Sequence, residues 1–509
     1  MFKKIAEKIE TIQHMQTLYL VIIGICGIII RLIYLPYDIP LSLDGLLYFW
    51  YASDTSNLGH LPQGYTLSNN LWAIVISPFF YMLQSNSFLD LMYLQRLLSI
   101  IISVGTIIPL YFLCRKFFDK NYALIGVILF SFEPRIVQNS TLGLTEPLFI
   151  FLGTSTLVLF YSNKTRYICL SFAILALFCL TRYEGLLLLI PITVMYFVRF
   201  GKSKQSIIKY LLMLGVFILV ITPITYLRIE TTGKDGLTSH VLEGAVLASS
   251  ETINNDQATK KFSIINGIIN FGKLFSWSTV PNFILFIPFG IYTMFRKRNF
   301  MNYSIIFVGI VFLIPALYAY SRNIEEIKYL FITFPLFSLI SLFTIKTVLD
   351  RSKRKNLIVL VLMCGIVLSS MLFLNWKIDN KHELEAVKIA EEVAKRTSII
   401  NDYHPESVYL RTVGFLDYED FAGKRETIHS KIKVLFAERF DSLKNFLDYA
   451  KKQKLEFLLV DDQESRPEFL KDVFEHEEKY PFLIKEYDSS EYGFKYHVKI
   501  FRINYELIT

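Results

Sequence analysis

Charge is scarce in this 509-residue chain. Asp, Glu, Lys and Arg make up 19% of it, against roughly 25% in an ordinary soluble domain, while 53% is hydrophobic. With a mean hydropathy of +0.41, that shortage excludes disordered and fibrous classes. Cysteine is scarce too. Cys26, Cys114, Cys169, Cys179 and Cys364 lie in or at the ends of apolar runs, and their spacing matches neither a disulfide framework nor a metal module. The sequence has no GxGxxG fingerprint, P-loop, internal repeat or low-complexity tract. Lys and Arg are missing altogether from residues 37–93. The net charge of +8 does not argue for nucleic acid, because much of the basic excess sits in short loops between apolar runs.

What is present is a series of apolar runs approaching or reaching membrane-spanning length, such as 17–30, 205–227 and 329–345. They predict a polytopic α-helical membrane protein with about eleven spans, at 17–36, 94–113, 122–137, 143–161, 167–181, 185–200, 207–227, 279–295, 303–320, 329–345 and 357–375. The segments between them fall into two sets. One holds twenty Lys and Arg in 58 positions, the other nine in 129, so the first set is expected on the cytoplasmic side. The N-terminus then reads as a cytoplasmic start feeding a retained first helix. Residues 376–509 fall outside, as an extracytoplasmic α/β domain. The run 71–84, with Pro78 inside, is short for a span and reads as interfacial or re-entrant. Two outer loops are long, 37–93 and 228–278. Within the tail, helices are expected over 382–396 and 441–454, the latter capped by Asp441. Strands are expected over 407–412, 431–436, 455–461, 482–487 and 494–502.

Ionisable residues near membrane depth are costly and mark function by default. On this reading Asp44, Glu133, Arg135, Glu146, Arg182, Glu184, Arg322 and Lys328 all map to the outer side, with Arg31 in the outer part of the first span. Asp44 sits among apolar residues in the loop that lacks basic side chains. A desolvated carboxylate there is a competent proton acceptor, and Asp44 equally suits a helix N-cap. Glu146, in Thr145-Glu146-Pro147, opens a helix whose dipole favours a carboxylate. Arg182 and Glu184 share a tight turn, where an arginine either anchors helices or holds a phosphate through paired hydrogen bonds. Glu325 and Glu326 stand between Arg322 and Lys328, poised to neutralise them.

SLDGLLYF after the first span, GLTEPLFIFL at the fourth and LTRYEG at the next outer turn occur in this order. IKYLFITFPLF follows at a later outer turn. Together they resemble the GT-C superfamily of membrane glycosyltransferases. The similar branch is that of the dolichyl-phosphate-mannose protein mannosyltransferases and the lipid A aminoarabinose transferases, the family 39-like enzymes. The resemblance covers roughly residues 17–345, so 1–375 is the expected catalytic membrane domain. It implies a mannosyltransferase-like enzyme that moves a sugar from a dolichyl- or undecaprenyl-phosphate donor to a hydroxyl of a protein, lipid or glycan, with inversion. It makes Asp44 the base. Arg182 and Lys328 become candidates for the lipid phosphate, and Glu146 and Glu184 for sugar or acceptor. Tyr48, Tyr183 and Arg322, within or beside the same motifs, join the substrate-binding set. A lone Asp44 beside Gly45 offers too few ligands to argue for a divalent ion, so the cofactor is left open. The alternative reading is a polytopic transporter or lipid-linked sugar flippase. Such a protein places ionisable groups at the bilayer midplane on broken helices, often in repeated halves. Here they gather at one surface and no halves repeat. A non-catalytic scaffold displaying the tail would not need the long acidic first loop.

Overall fold

The computed structural model describes residues 2–242, 262–389 and 437–508, apart from positions 42, 64, 66, 68, 84, 86, 87, 298, 382, 386, 438, 439, 454 and 465. The chain divides into two compact units. The first comprises residues 1–35, 66–76 and 95–378, and the second 36–65, 77–94 and 379–509.

Seven described helical stretches are long and apolar enough to cross a membrane: 15–33, 89–114, 183–200, 204–232, 300–321, 327–351 and 355–377. Four shorter apolar helices accompany them, at 71–83, 120–131, 146–160 and 165–181. This is a multi-pass helical membrane protein with a small sheet domain. Several expected spans are shorter than the hydropathy indicated, for local reasons. The run 122–137 breaks into Lys120–Ser131 and Pro134–Ser140, because the residue before Pro134 is extended. Of 279–295, only Ile287–Arg296 continues as one helix.

Two buried polar knots hold the first unit together. Arg31 is fully buried and donates to the Gly27 and Ser131 carbonyls at 2.8 and 3.0 Å, and to Ser140 Oγ and Ser103 Oγ at 3.0 and 3.2 Å. A cation at this depth persists only when so partnered. In the second knot Glu133 meets Arg135 at 3.4 Å and accepts from Asn282 Nδ2 at 3.1 Å. Arg135 donates to the Trp277 carbonyl at 2.6 Å and also to that of Val280, and lies over the Phe373 ring. Both knots are structural. Elsewhere the helices Ile287–Arg296 and Phe334–Arg351 meet through Gly290, where any Cβ would come within 2.3 Å of the Ile340 carbonyl oxygen.

The expected outer loop 228–278 is corrected in part. Residues 264–279 form a helix, Ile264–Thr279, capped by Ser263, whose hydroxyl accepts the Asn266 N–H. It packs on Phe300–Ser321 through Gly267 against Ser321 and Phe271 6.4 Å from Tyr320, while Ile264, Ile265, Ile268 and Ile269 are exposed.

In the second unit, helix Leu43–Leu58 carries Asp44 in its first turn. Phe49 packs on Phe80 at 5.5 Å, and Tyr65 donates to Asp54 at 2.5 Å. The tail folds around strands β1 (Phe457–Asp461), β2 (Leu483–Asp488) and β3 (Val498–Ile503), all antiparallel in the order β1-β3-β2. Phe446, Leu447, Ala450, Val473 and Phe501 fill its core. Helix Leu443–Gln453 is capped by Ser442, which accepts the Asn445 N–H at 3.3 Å, and not by Asp441 as expected. A further helix, Glu468–Glu475, escaped the sequence reading because its apolar pattern is only two turns long. The strands expected at 407–412 and 431–436 lie outside the described residues. So does most of the helix expected at 382–396, where 383–385 and 387–389 are helical.

Candidate active site

Glu146 begins the helix Glu146–Phe160 with Pro147 in its first turn, where a missing N–H costs nothing and the dipole favours the acid. Arg182 ends the helix Thr165–Thr181 in an extended conformation and turns the chain into a short 3-10 segment, Tyr183–Leu188. Gly185 closes that turn by donating to the Arg182 carbonyl at 2.9 Å. Only glycine fits, since a Cβ would lie 2.9 Å from the Phe178 ring and 3.0 Å from Cys179 Cα.

The turn delivers Arg182 between two carboxylates. Its Nη1 donates to Glu146 Oε1 at 2.6 Å and its Nη2 to Glu184 Oε1 at 2.9 Å. All three side chains are nearly enclosed, with 12%, 4% and 11% of Arg182, Glu146 and Glu184 exposed. The guanidinium lies 5.9 Å from the Phe149 ring and 5.8 Å from Tyr329. Phe149 stacks on Phe178 at 4.1 Å. Glu146 Oε2 and Glu184 Oε2 remain buried without a hydrogen-bond partner among the described residues. This is an open ion triad: one fork, two carboxylates, and an acceptor left over on each.

A small, partly open cavity adjoins it. Glu146, Arg182, Glu184, Lys328 and Tyr329 line it, on walls that include Phe149. Lys328 pairs with Glu326 at 2.6 Å, yet Glu326 is 49% exposed and Lys328 24%. Glu325 bonds Lys273 at 2.9 Å on the surface. Arg322 ends the helix Phe300–Ser321 and is not among the residues lining the cavity. Tyr183 sets its ring 5.2 Å from His240. Asp44 and Tyr48 belong to the second unit, on one helix; Tyr48 is buried, whereas Asp44 is exposed and not desolvated as its apolar neighbours suggested. Among the described residues no three His, Cys, Asp or Glu side chains group as metal ligands.

Three supports around the triad escaped the sequence reading. Arg228, buried near the end of Lys204–Thr232, donates to Asn70 Oδ1 and to the Leu180 carbonyl, both at 2.8 Å. Asn69 Oδ1 accepts the Tyr183 N–H at 3.3 Å. Arg228 was countable only as a loop charge, although a lone arginine ending an apolar helix is itself a signal. Asn69 and Asn70 give none.

Comparison with solved structures places the architecture. The Archaeoglobus fulgidus oligosaccharyltransferase in complex with Zn and sulfate superposes with a TM-score of 0.58 at 13% identity, over 87% of this chain and 68% of that one. The same organism's oligosaccharyltransferase AglB, in complex with an inhibitory peptide and a dolichol-phosphate, gives 0.58 at 13%, over 88% and 69%. ArnT from Cupriavidus metallidurans bound to undecaprenyl phosphate gives 0.51 at 12%, over 78% and 75%. The chain has the GT-C fold. Residues 75–226 match the family model for dolichyl-phosphate-mannose-protein mannosyltransferase. That stretch contains Glu146, Arg182, Tyr183 and Glu184. No curated protein matches the sequence.

Proposed function

We propose that the chain is an integral-membrane glycosyltransferase that moves a sugar from a polyprenyl-phosphate donor to an acceptor hydroxyl on the extracytoplasmic face, with inversion. The observation that carries this reading is the cavity beside the open triad. The spare carboxylate oxygens of Glu146 and Glu184 accept hydroxyl hydrogens of a sugar or acceptor. Tyr329 and Phe149 offer ring faces. Arg182 is spanned by two carboxylates, so its charge is largely spent on holding them. Lys328, which lines the cavity beside the triad and pairs with the half-exposed Glu326, is the proposed contact for the lipid phosphate. Tyr183 and Arg322 flank the same motifs as secondary contacts.

Asp44 is the proposed base, with Tyr48 one turn along its helix contributing to substrate binding. The acceptor O–H passes its proton to the carboxylate while the oxygen attacks the anomeric carbon. The bond from that carbon to the phosphate oxygen breaks, and the polyprenyl phosphate leaves with the electron pair. A phosphate needs little acid assistance to leave. A dolichyl or undecaprenyl chain is favoured because the AglB and ArnT structures hold those two lipid phosphates. A mannose-type sugar is favoured by the family model over 75–226.

The test is incubation of purified protein with radiolabelled polyprenyl-phosphate sugars and a membrane extract as acceptor source. The expected result is transfer of label by the parental protein and transfer at least about a hundredfold slower by Asp44→Asn. Failure of every polyprenyl-phosphate sugar to release its lipid phosphate overturns the reading.

A further inference from the structure

We infer that the four-residue segment Asn69–Trp72, together with Arg228, is a positioning bracket that fixes Glu146 and Arg182 relative to one another. Its kinetic consequence rests on the glycosyltransferase reading above, but its structural content does not.

The bracket grips the chain on both sides of the ion pair. Asn69 accepts the Tyr183 N–H, immediately after Arg182, at 3.3 Å. Asn70 accepts Arg228 Nε at 2.8 Å, and Arg228 Nη2 donates to the Leu180 carbonyl, two residues before Arg182, at 2.8 Å. Trp72 Nε1 then reaches the other partner's turn, donating to the Gly143 carbonyl at 2.9 Å. Gln95 Nε2 donates to the same oxygen at 2.7 Å. Gly143 lies three residues before Glu146 and has φ of 69°, a conformation suited to glycine. The Asn70 carbonyl meanwhile accepts the Ile74 N–H at 3.0 Å, anchoring the segment to the helix that follows.

These groups do not line the cavity. Asn70, Trp72, Gln95 and Arg228 are buried to within 1% of completely. Buried hydrogen bonds of this kind are strong and directional, so they hold backbone rather than ligand. What they hold is the spacing between residues 143–146 and 180–183, and therefore the angle at which Glu146 meets Arg182. Asn69, Asn70, Trp72, Gln95 and Arg228 are positioning residues, acting only through the pair.

Two measurements test this. In the first, Asn69→Ala and Trp72→Phe are assayed for sugar transfer in the parental and Arg182→Lys backgrounds. A misplacement of about 1 Å costs on the order of a hundredfold in rate, so kcat is expected to fall about tenfold to a hundredfold in the parental background, with donor KM within about twofold. In Arg182→Lys the same substitutions are expected to cost less than about threefold, because residues acting as one unit are not additive. Equal losses in both backgrounds overturn the inference. The second measurement needs no activity. Amide exchange by mass spectrometry on the full chain in lipid discs is expected to speed up over 181–188 in Asn69→Ala and over 141–147 in Trp72→Phe, with 165–179 unchanged. Unaltered exchange at those turns overturns the bracket. A parental protein that transfers no sugar overturns the glycosyltransferase reading alone, and the exchange result then decides the bracket.

Discussion

Arg182 in the first unit and Arg466 in the tail both meet a carboxylate at 2.6 Å. The two arrangements differ in what is left over. Arg466 binds one acid with both arms, Nε to Asp461 Oδ1 at 2.7 Å and Nη2 to Oδ2 at 2.6 Å. Tyr496 adds a third bond to Oδ2 at 3.2 Å. Every oxygen of Asp461 is used, and the pair is a closed clamp between the end of β1 and the loop after it. Arg182 instead divides its arms between two acids and leaves one oxygen of each buried and, among the described residues, without a partner beside a cavity. A closed clamp stabilises. An open triad costs stability and keeps acceptors ready for a ligand, which is how a binding site differs from a strut built of the same residue types.

The largest expected effect lies outside both arrangements. Asp44→Asn keeps a group able to sit in the first turn of its helix but removes proton acceptance, so transfer falls by about a hundredfold to ten-thousandfold while thermal stability holds. Parental transfer by this variant moves the base elsewhere, with Glu146 next in line. Arg182→Ala tests the triad itself. It leaves two enclosed carboxylates without their cation, an expected loss of about 3–5 kcal/mol in stability together with transfer. Arg466→Ala, at a partly exposed clamp, is expected to cost about 1–2 kcal/mol. Equal losses in denaturant unfolding would erase the contrast between open and closed. Arg182→Lys sharpens it, because a lysine cannot span both acids. Transfer is expected to fall roughly tenfold with the fold intact.

The smallest effect is expected on the tail's surface. Hydrogen bonds from Lys479 and Tyr480 hold the Asp472 carboxyl down from 3.8 to about 2. A carboxyl depressed in the folded state adds stability above its unfolded pKa and loses it as pH falls from about 4 through about 2. Asp472→Asn should therefore lower thermal stability slightly at neutral pH and flatten its decline across that window. An unchanged acid limb would show that these bonds contribute nothing. Orientation is checked separately. A cysteine at Lys444, exposed on its helix, should react with impermeant reagents on intact cells, and reaction only after permeabilisation would reverse the sidedness.

The fold was legible where its cause is local. Apolar runs declare membrane helices because the bilayer needs length and hydropathy, both visible in a window of the chain. Helix Ile264–Thr279 was not legible, since Asn266, Asn270 and Lys273 break its apolar stripe into what reads as loop. In the site, Glu146, Arg182 and Glu184 stood out as charges in apolar surroundings. Their pairing did not, because Glu146 and Arg182 are 36 residues apart and no local pattern records that contact. One partner of Lys328 was legible two residues away at Glu326, whereas Glu325 meets Lys273, 52 residues earlier. Asn69 and Asn70 sit in a polar loop, where polar side chains offer no contrast.

Arg31 carries a consequence for biogenesis. Its hydrogen-bond partners beyond its own helix lie 72, 100 and 109 residues further along the chain. During synthesis the first helix therefore enters the bilayer before any of them exists, and its guanidinium must wait. An arginine held at mid-membrane costs about 2.5–3.5 kcal/mol on insertion scales, but Arg31 lies in the last turn of its helix, from where a long side chain reaches the headgroups. Its burial among Ser103, Ser131 and Ser140 belongs to the finished fold. The residue that ties the finished helices together thus completes its bonds only when the last of its three partner segments, Pro134–Ser140, has been made.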